Sequence, residues 1–117
     1  MKLKHAMLYV KDFAGMSEFY GSQLGLTAIP ETRSQGWIEF AEGLALHAIP
    51  PHIADGIVIA SPPEPREETP IKLIFRVDDL DAIAAKLEAA GVALMRRPWG
   101  AVDCVDPEGN IFQLSRA

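Results

Sequence analysis

Cysteine and long apolar runs are almost absent from this sequence. Cys104 is the only cysteine in 117 residues, and a single thiol cannot close a disulfide within the chain, so nothing indicates an oxidising compartment. No apolar run approaches the roughly 20 residues that cross a bilayer. The first residues also lack the charged-then-apolar order of a signal peptide. We therefore expect a cytoplasmic protein with no membrane partner.

Basic side chains are also fewer than acidic ones. The chain has 11 basic and 16 acidic side chains and a net charge of −5. This balance argues against a general nucleic-acid binder, which needs a basic surface to neutralise phosphates. The sequence has no glycine-rich phosphate loop, no Gly-x-Ser-x-Gly elbow and no Cys-x-x-Cys pair, so several common classes of enzyme are excluded as well.

A weak internal repeat is the most informative feature that the sequence does contain. The apolar fraction of 49% and the charged fraction of 23% are those of an ordinary globular domain. Residues 4–13 resemble residues 71–80 at an offset of 67, and a later Gly-Leu pair recurs as Gly-Val at an offset of 66. A long period that occurs only twice predicts a duplicated module. The matched pairs are Val10 with Val77, Asp12 with Asp79, Phe13 with Leu80, and Gly25 with Gly91.

Each copy begins with the pattern of a strand followed by a helix. Residues 3–10 and 71–77 are rich in apolar side chains and end near an aspartate. Apolar residues then recur at helical spacing: Met16, Phe19, Tyr20 and Leu24 in the first copy, and Leu80, Ile83, Ala84 and Leu87 in the second. The sequence predicts Asp12 and Asp79 as helix N-caps and Gly25 and Gly91 as helix ends.

Three shorter strands follow each helix, so each copy has the pattern βαβββ. The sequence predicts an α+β fold with two βαβββ modules in tandem, in a single domain over 1–117. Module one covers about 1–49, a connector with six of the nine prolines covers about 50–70, and module two covers about 71–117. The predicted strands are 26–29, 36–41 and 44–49, then 92–96, 100–105 and 110–116, with a short edge strand at 57–59.

Alternation along the strands assigns side chains to two faces. Apolar residues such as Leu8, Phe75 and Leu114 are expected on the face that the helices cover, together with Cys104, which we expect to be an inert buried thiol. If the two modules curve around one hollow, four positions of the opposite face meet there: His5, His47, Lys72 and Gln113. Further candidates to line that hollow are Met7, Tyr9, Trp37, Glu39 and Arg76.

Three stretches resemble one known family. They are residues 5–26, with the opening strand and helix, residues 75–81, which begin the second module, and residues 106–114, which contain the closing turn Asp106-Pro107-Glu108-Gly109-Asn110. Together they resemble the vicinal-oxygen-chelate superfamily of glyoxalase I, the bleomycin-resistance proteins and the extradiol dioxygenases. The resemblance implies a curved mixed sheet around a shared cavity, with the helices outside and two copies paired as a homodimer. It implies a fold and not a reaction.

The same resemblance implies ligands for a divalent metal such as Zn, Ni, Mn or Fe. The four ligand positions of the metal-dependent members fall on His5, His47, Lys72 and Gln113. The two histidines fit that pattern, and Glu39 would add a carboxylate if it faces the hollow. Lys72 does not fit, because a protonated amine has no lone pair and repels a dication, and Gln113 offers only a neutral amide oxygen.

Ordinary roles for these residues stay open beside the functional ones. His5 and His47 also fit as satisfied core histidines, and the aromatic candidates fit as packing residues. Lys72 and Arg76 either extend into solvent along their stems or form a cationic pocket for a carboxylate or phosphate. Surface positions are expected for His52 and for Arg96-Arg97.

The first hypothesis from the sequence is therefore an enzyme that acts on a small oxygenated organic molecule, anionic if Lys72 and Arg76 form a cationic pocket. It would be a lyase, isomerase or dioxygenase of the vicinal-oxygen-chelate type, using His5 and His47 with or without a metal. The alternative is a non-catalytic small-molecule-binding protein of the drug-sequestering type, which the acceptor-poor side chains Lys72 and Gln113 favour. A regulatory subunit with a vestigial pocket ranks third.

Overall fold

The computed structural model describes residues 1–116, and the chain divides into two compact units, Met1–Val58 and Ile59–Ala117. Each unit contains one sheet of four strands with a helix between its first and second strands. The boundary falls inside the proline-rich connector, whose first part belongs to the first unit and whose second part belongs to the second. Within residues 1–116, no helix combines the length and apolar character needed to span a membrane.

The first unit has a mixed sheet in the order β1-β4-β3-β2. Strands β1 and β4, the first and last of the unit along the chain, pair in parallel, and the other two pairings are antiparallel. Helix α1 continues directly into a π-helical segment, and a short helix α2 follows the sheet. The elements are β1 Ala6–Val10, α1 Phe13–Glu18, the π-helical segment Phe19–Gln23, β2 Ala28–Ser34, β3 Trp37–Phe40, β4 Leu44–Ala48 and α2 Pro51–Ala54.

The second unit repeats this topology. Its sheet has the order β5-β8-β7-β6, again with one parallel pair followed by two antiparallel pairs. The predicted α+β architecture of two βαβββ modules in tandem is therefore confirmed. The elements are β5 Leu73–Arg76, α3 Leu80–Ala89, β6 Leu94–Arg96, β7 Val102–Val105 and β8 Ile111–Ser115.

The predicted helix ends are present in both units. The Asp12 carboxylate accepts a hydrogen bond from the Gly15 amide at 3.0 Å, and the Asp79 carboxylate accepts one from the Ala82 amide at 3.0 Å. Each bond satisfies a backbone donor that the first turn of a helix leaves unpaired. Gly25 and Gly91 have φ of 89° and 88°, a region that side chains with a Cβ disfavour. The repeat in the sequence thus corresponds to repeated helix-capping chemistry.

One face of each sheet is buried with the helices, as the alternation predicts. In the first unit the buried strand residues include Val10, Ile38 and Leu46, and all four apolar helical residues from Met16 to Leu24 are buried as well. In the second unit the buried apolar residues of this face are Leu80, Ala84, Leu87, Val102, Cys104, Phe112 and Leu114. Burying a side chain of this size stabilises a fold by about 1.5–3 kcal/mol, so this face supplies the core.

The structure adds the short helix α2 inside the predicted connector and differs from the predicted strands in several places. Strand β2 runs to Ser34 instead of ending at 29, because as an edge strand it leaves most of its polar side chains exposed and so lacks an apolar pattern. Residues 57–59 form no strand, and the predicted edge strand there is wrong. Strands β1 and β5 begin later than predicted, which places His5 and Lys72 just before them.

The closing turn is built around a buried carboxylate. Asp106 is fully buried, and its Oδ1 accepts hydrogen bonds from the backbone amides of Glu108 and Asn110, both at 2.9 Å. Its Oδ2 accepts a third from the Asn110 side chain at 2.8 Å. Three donors satisfy a charge that would otherwise be costly to bury. The closing motif therefore specifies a tight turn that joins β7 to β8.

Cys104 provides a test of the predicted strand faces. Its thiol is fully buried, and burial together with the nearby Asp103 charge raises its pKa to about 12. A thiol reacts as its thiolate, so we expect negligible labelling of the native protein by a disulfide reagent at pH 8 and one equivalent of labelling in denaturant. Because Cys104 is the only cysteine, the count is unambiguous. Rapid stoichiometric labelling without denaturant would show that β7 has the opposite face outward.

Candidate functional site

The uncovered face of the first unit gathers the residues that the sequence analysis placed there. Tyr9 on β1 and Trp37 on β3 both lie opposite His47 on β4. Met7 and Glu39 both lie opposite Ala45, one step along the same face. Directly opposed residues of neighbouring strands project to the same side of a sheet. The shared face of these side chains is therefore a consequence of strand register.

Four rings on this face contact one another edge to face; we call them the aromatic face. The ring centroids of His5 and Trp37 are 5.5 Å apart. Those of Trp37 and His47 are 5.8 Å apart, and those of Tyr9 and His47 are 5.3 Å apart. These are favourable distances for aromatic pairs. Tyr9 is 61% exposed, so the aromatic face presents ring surface that no residue of the described chain covers.

Glu39 fixes one side of the aromatic face. Its Oε2 accepts a hydrogen bond from Trp37 Nε1 at 3.0 Å, and its Oε1 lies 3.7 Å from Nδ1 of His5. The backbone amide of Glu39 donates to the Thr32 hydroxyl at 3.0 Å, which ties the residue to the edge strand. The Trp37 ring is therefore held in place by a carboxylate.

His47 has an unsatisfied polar atom. Its Nδ1 is buried and has no hydrogen-bond partner within residues 1–116. Buried polar groups in proteins are nearly always paired, and an exception calls for a physical explanation such as a bound molecule. This nitrogen is thus a candidate for a contact with a ligand or a water.

In the second unit, the equivalent face is organised by Asp103. The Asp103 side chain is only 5% exposed. Its Oδ2 accepts hydrogen bonds from Lys72 Nζ at 3.0 Å and from Arg97 Nε at 2.8 Å, and it forms an ion pair with Arg97 Nη2 at 2.6 Å. Its Oδ1 accepts one from Gln113 Nε2 at 2.9 Å. One buried carboxylate thus holds three side chains from three different segments.

The donors around Asp103 keep it charged. Burial alone raises the pKa of the Asp103 carboxyl, but the hydrogen bonds from Gln113, Arg97 and Lys72 outweigh it and hold the pKa below the ordinary value of 3.8. Hydrogen bonds to the ionised form of an acid lower its pKa in this way. Asp103 is therefore an anion at neutral pH.

A cavity of about 410 Å³ lies beside this network, entirely within the second unit. The second part of the connector forms one wall, and it is held in place because the Arg66 amide donates to the Gly109 carbonyl at 2.8 Å and Arg66 Nε donates to the Glu108 carbonyl at 3.2 Å. We call it the cationic cavity; its lining is Arg66, Glu67, Thr69, Pro70, Ile71, Lys72, Met95, Arg97 and Ile111.

The predicted site residues fall into two groups, one in each unit. His5, Met7, Tyr9, Trp37, Glu39 and His47 share the face of the first unit, and Lys72 and Gln113 meet at Asp103 in the second. Arg76 is exposed on the same side of β5 as Lys72 and does not line the cavity. That all four ligand positions meet in one hollow stays a prediction.

The sequence analysis missed two residues of the network, Asp103 and Arg97. The surface position expected for Arg97 is wrong, because its guanidinium is one-third exposed and bonded to Asp103. A signal was available for Asp103: it alternates with the covered Cys104, so it must share the face of Gln113. No comparable pattern marks Arg97, which follows the last residue of β6.

A divalent metal does not fit these residues. The Lys72 ammonium group has no lone pair for a metal and would repel one, and Gln113, whose amide nitrogen is bonded to Asp103, offers only a neutral oxygen. Within residues 1–116, no three His, Cys, Asp or Glu side chains lie close enough together to hold a metal ion. The donor set therefore supports no step that passes through a metal.

Replacing Asp103 tests the network through its pH dependence. Because the folded-state pKa lies below 3.8, ionised Asp103 stabilises the fold above that pH, and the contribution is lost as pH falls through the folded-state pKa. We expect Asp103→Asn to lower the free energy of unfolding by about 2 kcal/mol at pH 7, since three side chains lose a charged acceptor. The difference from wild type should shrink below about pH 3.8.

Urea denaturation between pH 3 and 7 measures this difference. The exposed Asp55, substituted as Asp55→Asn, is the matched control and should change the free energy of unfolding little at any of these pH values. An Asp103→Asn protein as stable as wild type at pH 7 would contradict the network.

Comparisons with known proteins agree with this architecture. Solved structures with the same fold include a protein of unknown function from Agrobacterium tumefaciens, 24% identical with a TM-score of 0.75 over 100% of this chain and 94% of that one. Glyoxalase I of Leishmania major is 18% identical with a TM-score of 0.71 over 99% and 86% of the two chains. TnmS3, an antibiotic-binding protein from a Streptomyces species, is 21% identical with a TM-score of 0.65 over 99% and 95%.

Sequence comparison defines the family more directly than these structures do. A search of curated protein sequences gives no match. The sequence profile of one superfamily, however, matches residues 2–114, nearly the whole chain. With its two βαβββ modules, this chain belongs to the Glyoxalase/Bleomycin resistance protein/Dioxygenase superfamily.

Proposed function

We propose that this protein binds a small oxygenated organic molecule without a metal, as a homodimer. The observation that carries the proposal is the bonding of Lys72 and Gln113 to Asp103. Lys72, at one of the four ligand positions, is bonded to an internal carboxylate, and Gln113 offers a metal only a neutral amide oxygen. Ring surface stays open in the first unit. Without a metal, the protein would recognise the ligand by stacking against the rings and by hydrogen bonding.

The aromatic face is suited to a flat ligand. Trp37 is held by Glu39, so it provides a pre-positioned ring that loses little freedom on binding. Tyr9 adds an exposed ring, and His47 adds a nitrogen without a partner. A similar fold in TnmS3 belongs to a protein described as antibiotic-binding, which supports a binding role for this architecture.

Trp37 fluorescence tests this proposal. The chain has two tryptophans, so Trp99→Phe leaves Trp37 as the only one. We expect catechol, a flat ring with neighbouring oxygens, to quench Trp37 saturably, and cyclohexane-1,2-diol, which lacks the flat ring, to bind much more weakly. Tyr9→Ala should weaken catechol binding about fivefold, since one aromatic contact contributes about 1 kcal/mol.

Zinc addition provides the control for metal dependence. Because the donor set does not fit a metal, the catechol dissociation constant should be the same after chelator treatment and after addition of equimolar zinc. Equal quenching by catechol and the saturated diol would contradict recognition by the aromatic face. A large gain in affinity with zinc would contradict the metal-free mode.

A second candidate function is metal-free proton transfer, and the pair formed by His5 and Glu39 favours it. A carboxylate 3.7 Å from an imidazole nitrogen can orient that ring as a general base. The substrate class would be a carbon acid with neighbouring oxygens, in which an enolate develops beside the donors of the site. This candidate retains the enzyme hypothesis drawn from the sequence.

Proton exchange measures this activity directly. If the second candidate holds, the protein should accelerate exchange of the carbon-bound protons of dihydroxyacetone in D₂O, followed by proton NMR. His5→Gln should then lower the rate by about 100-fold, the usual scale of general-base catalysis. The exposed His52, substituted as His52→Gln, is the matched control. Exchange no faster than in buffer would exclude this candidate and leave the binding proposal intact.

A further inference from the structure

The cationic cavity of the second unit has features that the aromatic face does not explain. Three of its lining residues are basic, and its apolar lining includes Ile71, Met95 and Ile111. Its volume of about 410 Å³ lies at the lower end of the range for small-molecule sites, about 300–1,000 Å³. The cavity therefore combines positive charge with apolar wall at a size that suits a small ligand.

Charge counting indicates the charge of that ligand. Lys72 and Arg97 contribute two positive charges, and the single Asp103 carboxylate balances one of them. Arg66 and Glu67 in the connector wall are of opposite sign. One positive charge is left over for the whole cavity. A single negative charge on a ligand would balance it, whereas a dication would be repelled.

Unused donors indicate where that negative charge would bind. A lysine ammonium has three protons, and the hydrogen bond described for Lys72 uses one of them, toward Asp103. An arginine guanidinium has five, and Arg97 directs only its Nε and Nη2 groups at Asp103. The side chains are 40% and 33% exposed, so both are accessible yet partly shielded from water. Asp103 holds the two cations close together.

We propose that the cationic cavity binds the carboxylate of a small organic monoanion, with Lys72 and Arg97 as the carboxylate-binding residues. The apolar part of the ligand would lie against Ile71, Met95 and Ile111. A smaller hollow of about 120 Å³ shares Met95 and Ile111 and extends the apolar wall. Asp103 contacts the two cations and not the ligand, and its negative charge competes with the ligand for them. This inference rests on the proposed small-molecule-binding role and names one ligand class for it.

Trp99 is a built-in reporter for this cavity. The Arg97 guanidinium lies 6.0 Å from the centre of the Trp99 ring, and Trp99 is 69% exposed. A carboxylate bound to Arg97 changes the charge beside that ring, and the tryptophan emission changes with it. In a Trp37→Phe protein, Trp99 is the only tryptophan and reports on the second unit alone.

The experiment titrates the Trp37→Phe protein with benzoate and with benzamide, the neutral counterpart of similar shape, and follows Trp99 emission. We expect saturable benzoate binding, with benzamide and inorganic phosphate each at least about tenfold weaker. Benzamide lacks the charge, and phosphate lacks the apolar body and carries excess charge at neutral pH. Lys72→Met should weaken benzoate binding by about tenfold or more, the scale of one hydrogen bond between charged groups.

Two further variants keep the test decisive. Arg96 is exposed and does not line the cavity, although it is the neighbour of Arg97 in the sequence. Arg96→Met removes the same charge as a substitution of Arg97 would, and it should leave the benzoate dissociation constant unchanged. Asp103→Asn removes the internal competitor for both cations and should strengthen benzoate binding, provided that thermal denaturation shows a folded protein. A merely structural role for Lys72 and Arg97 predicts no such gain.

The outcomes separate this inference from the proposed function. Equal binding of benzoate and benzamide, no saturable benzoate binding, or a Lys72→Met protein that binds like wild type would each overturn it. Catechol quenching of Trp37 in the Trp99→Phe protein is an independent readout. Failure of catechol with success of benzoate would remove the aromatic face as the site and leave the carboxylate site standing, and the reverse result would remove only the carboxylate site.

Discussion

The arrangement of the second unit depends on one buried carboxylate. Asp103 is almost inaccessible to solvent, and a charge in such a place is unfavourable unless it is paired and hydrogen-bonded. Lys72, Arg97 and Gln113 meet that requirement from three segments, and in doing so they lose the freedom to act independently. The chemistry of this face follows from that constraint: a locally positive surface with no room for a metal among its donors.

The two units show how one topology carries different chemistry. Strand register makes Trp37 and Asp103 equivalent, since each lies opposite the equivalent residue of the last strand, His47 or Gln113. The same repeat relates His5 to Lys72. At these positions the first unit has rings that contact edge to face, and the second has charges that contact through hydrogen bonds. The duplicated backbone pattern therefore carries different side-chain chemistry in the two units.

Elements with a periodic pattern were predictable, and those without one were not. The helix from Leu80 and the faces of β4 and β8 follow from the spacing of apolar residues, because burial of one side imposes that spacing. The second half of strand β2 was not predicted, because an edge strand exposes polar side chains on both sides. Arg97 was missed because a long side chain beyond the end of a strand can reach either solvent or a buried acid, and local sequence does not distinguish the two.

The sequence by itself determined the duplicated βαβββ pattern, the helix caps at Asp12 and Asp79, and the covered face of the strands, because these depend on local spacing and short-range hydrogen bonds. Only the tertiary structure decided that Lys72 and Gln113 are bound to Asp103 and that the connector at Arg66 forms a cavity wall. Those contacts join residues about 10 to 40 positions apart, and their partners are chosen by strand register and by the need to satisfy a buried charge.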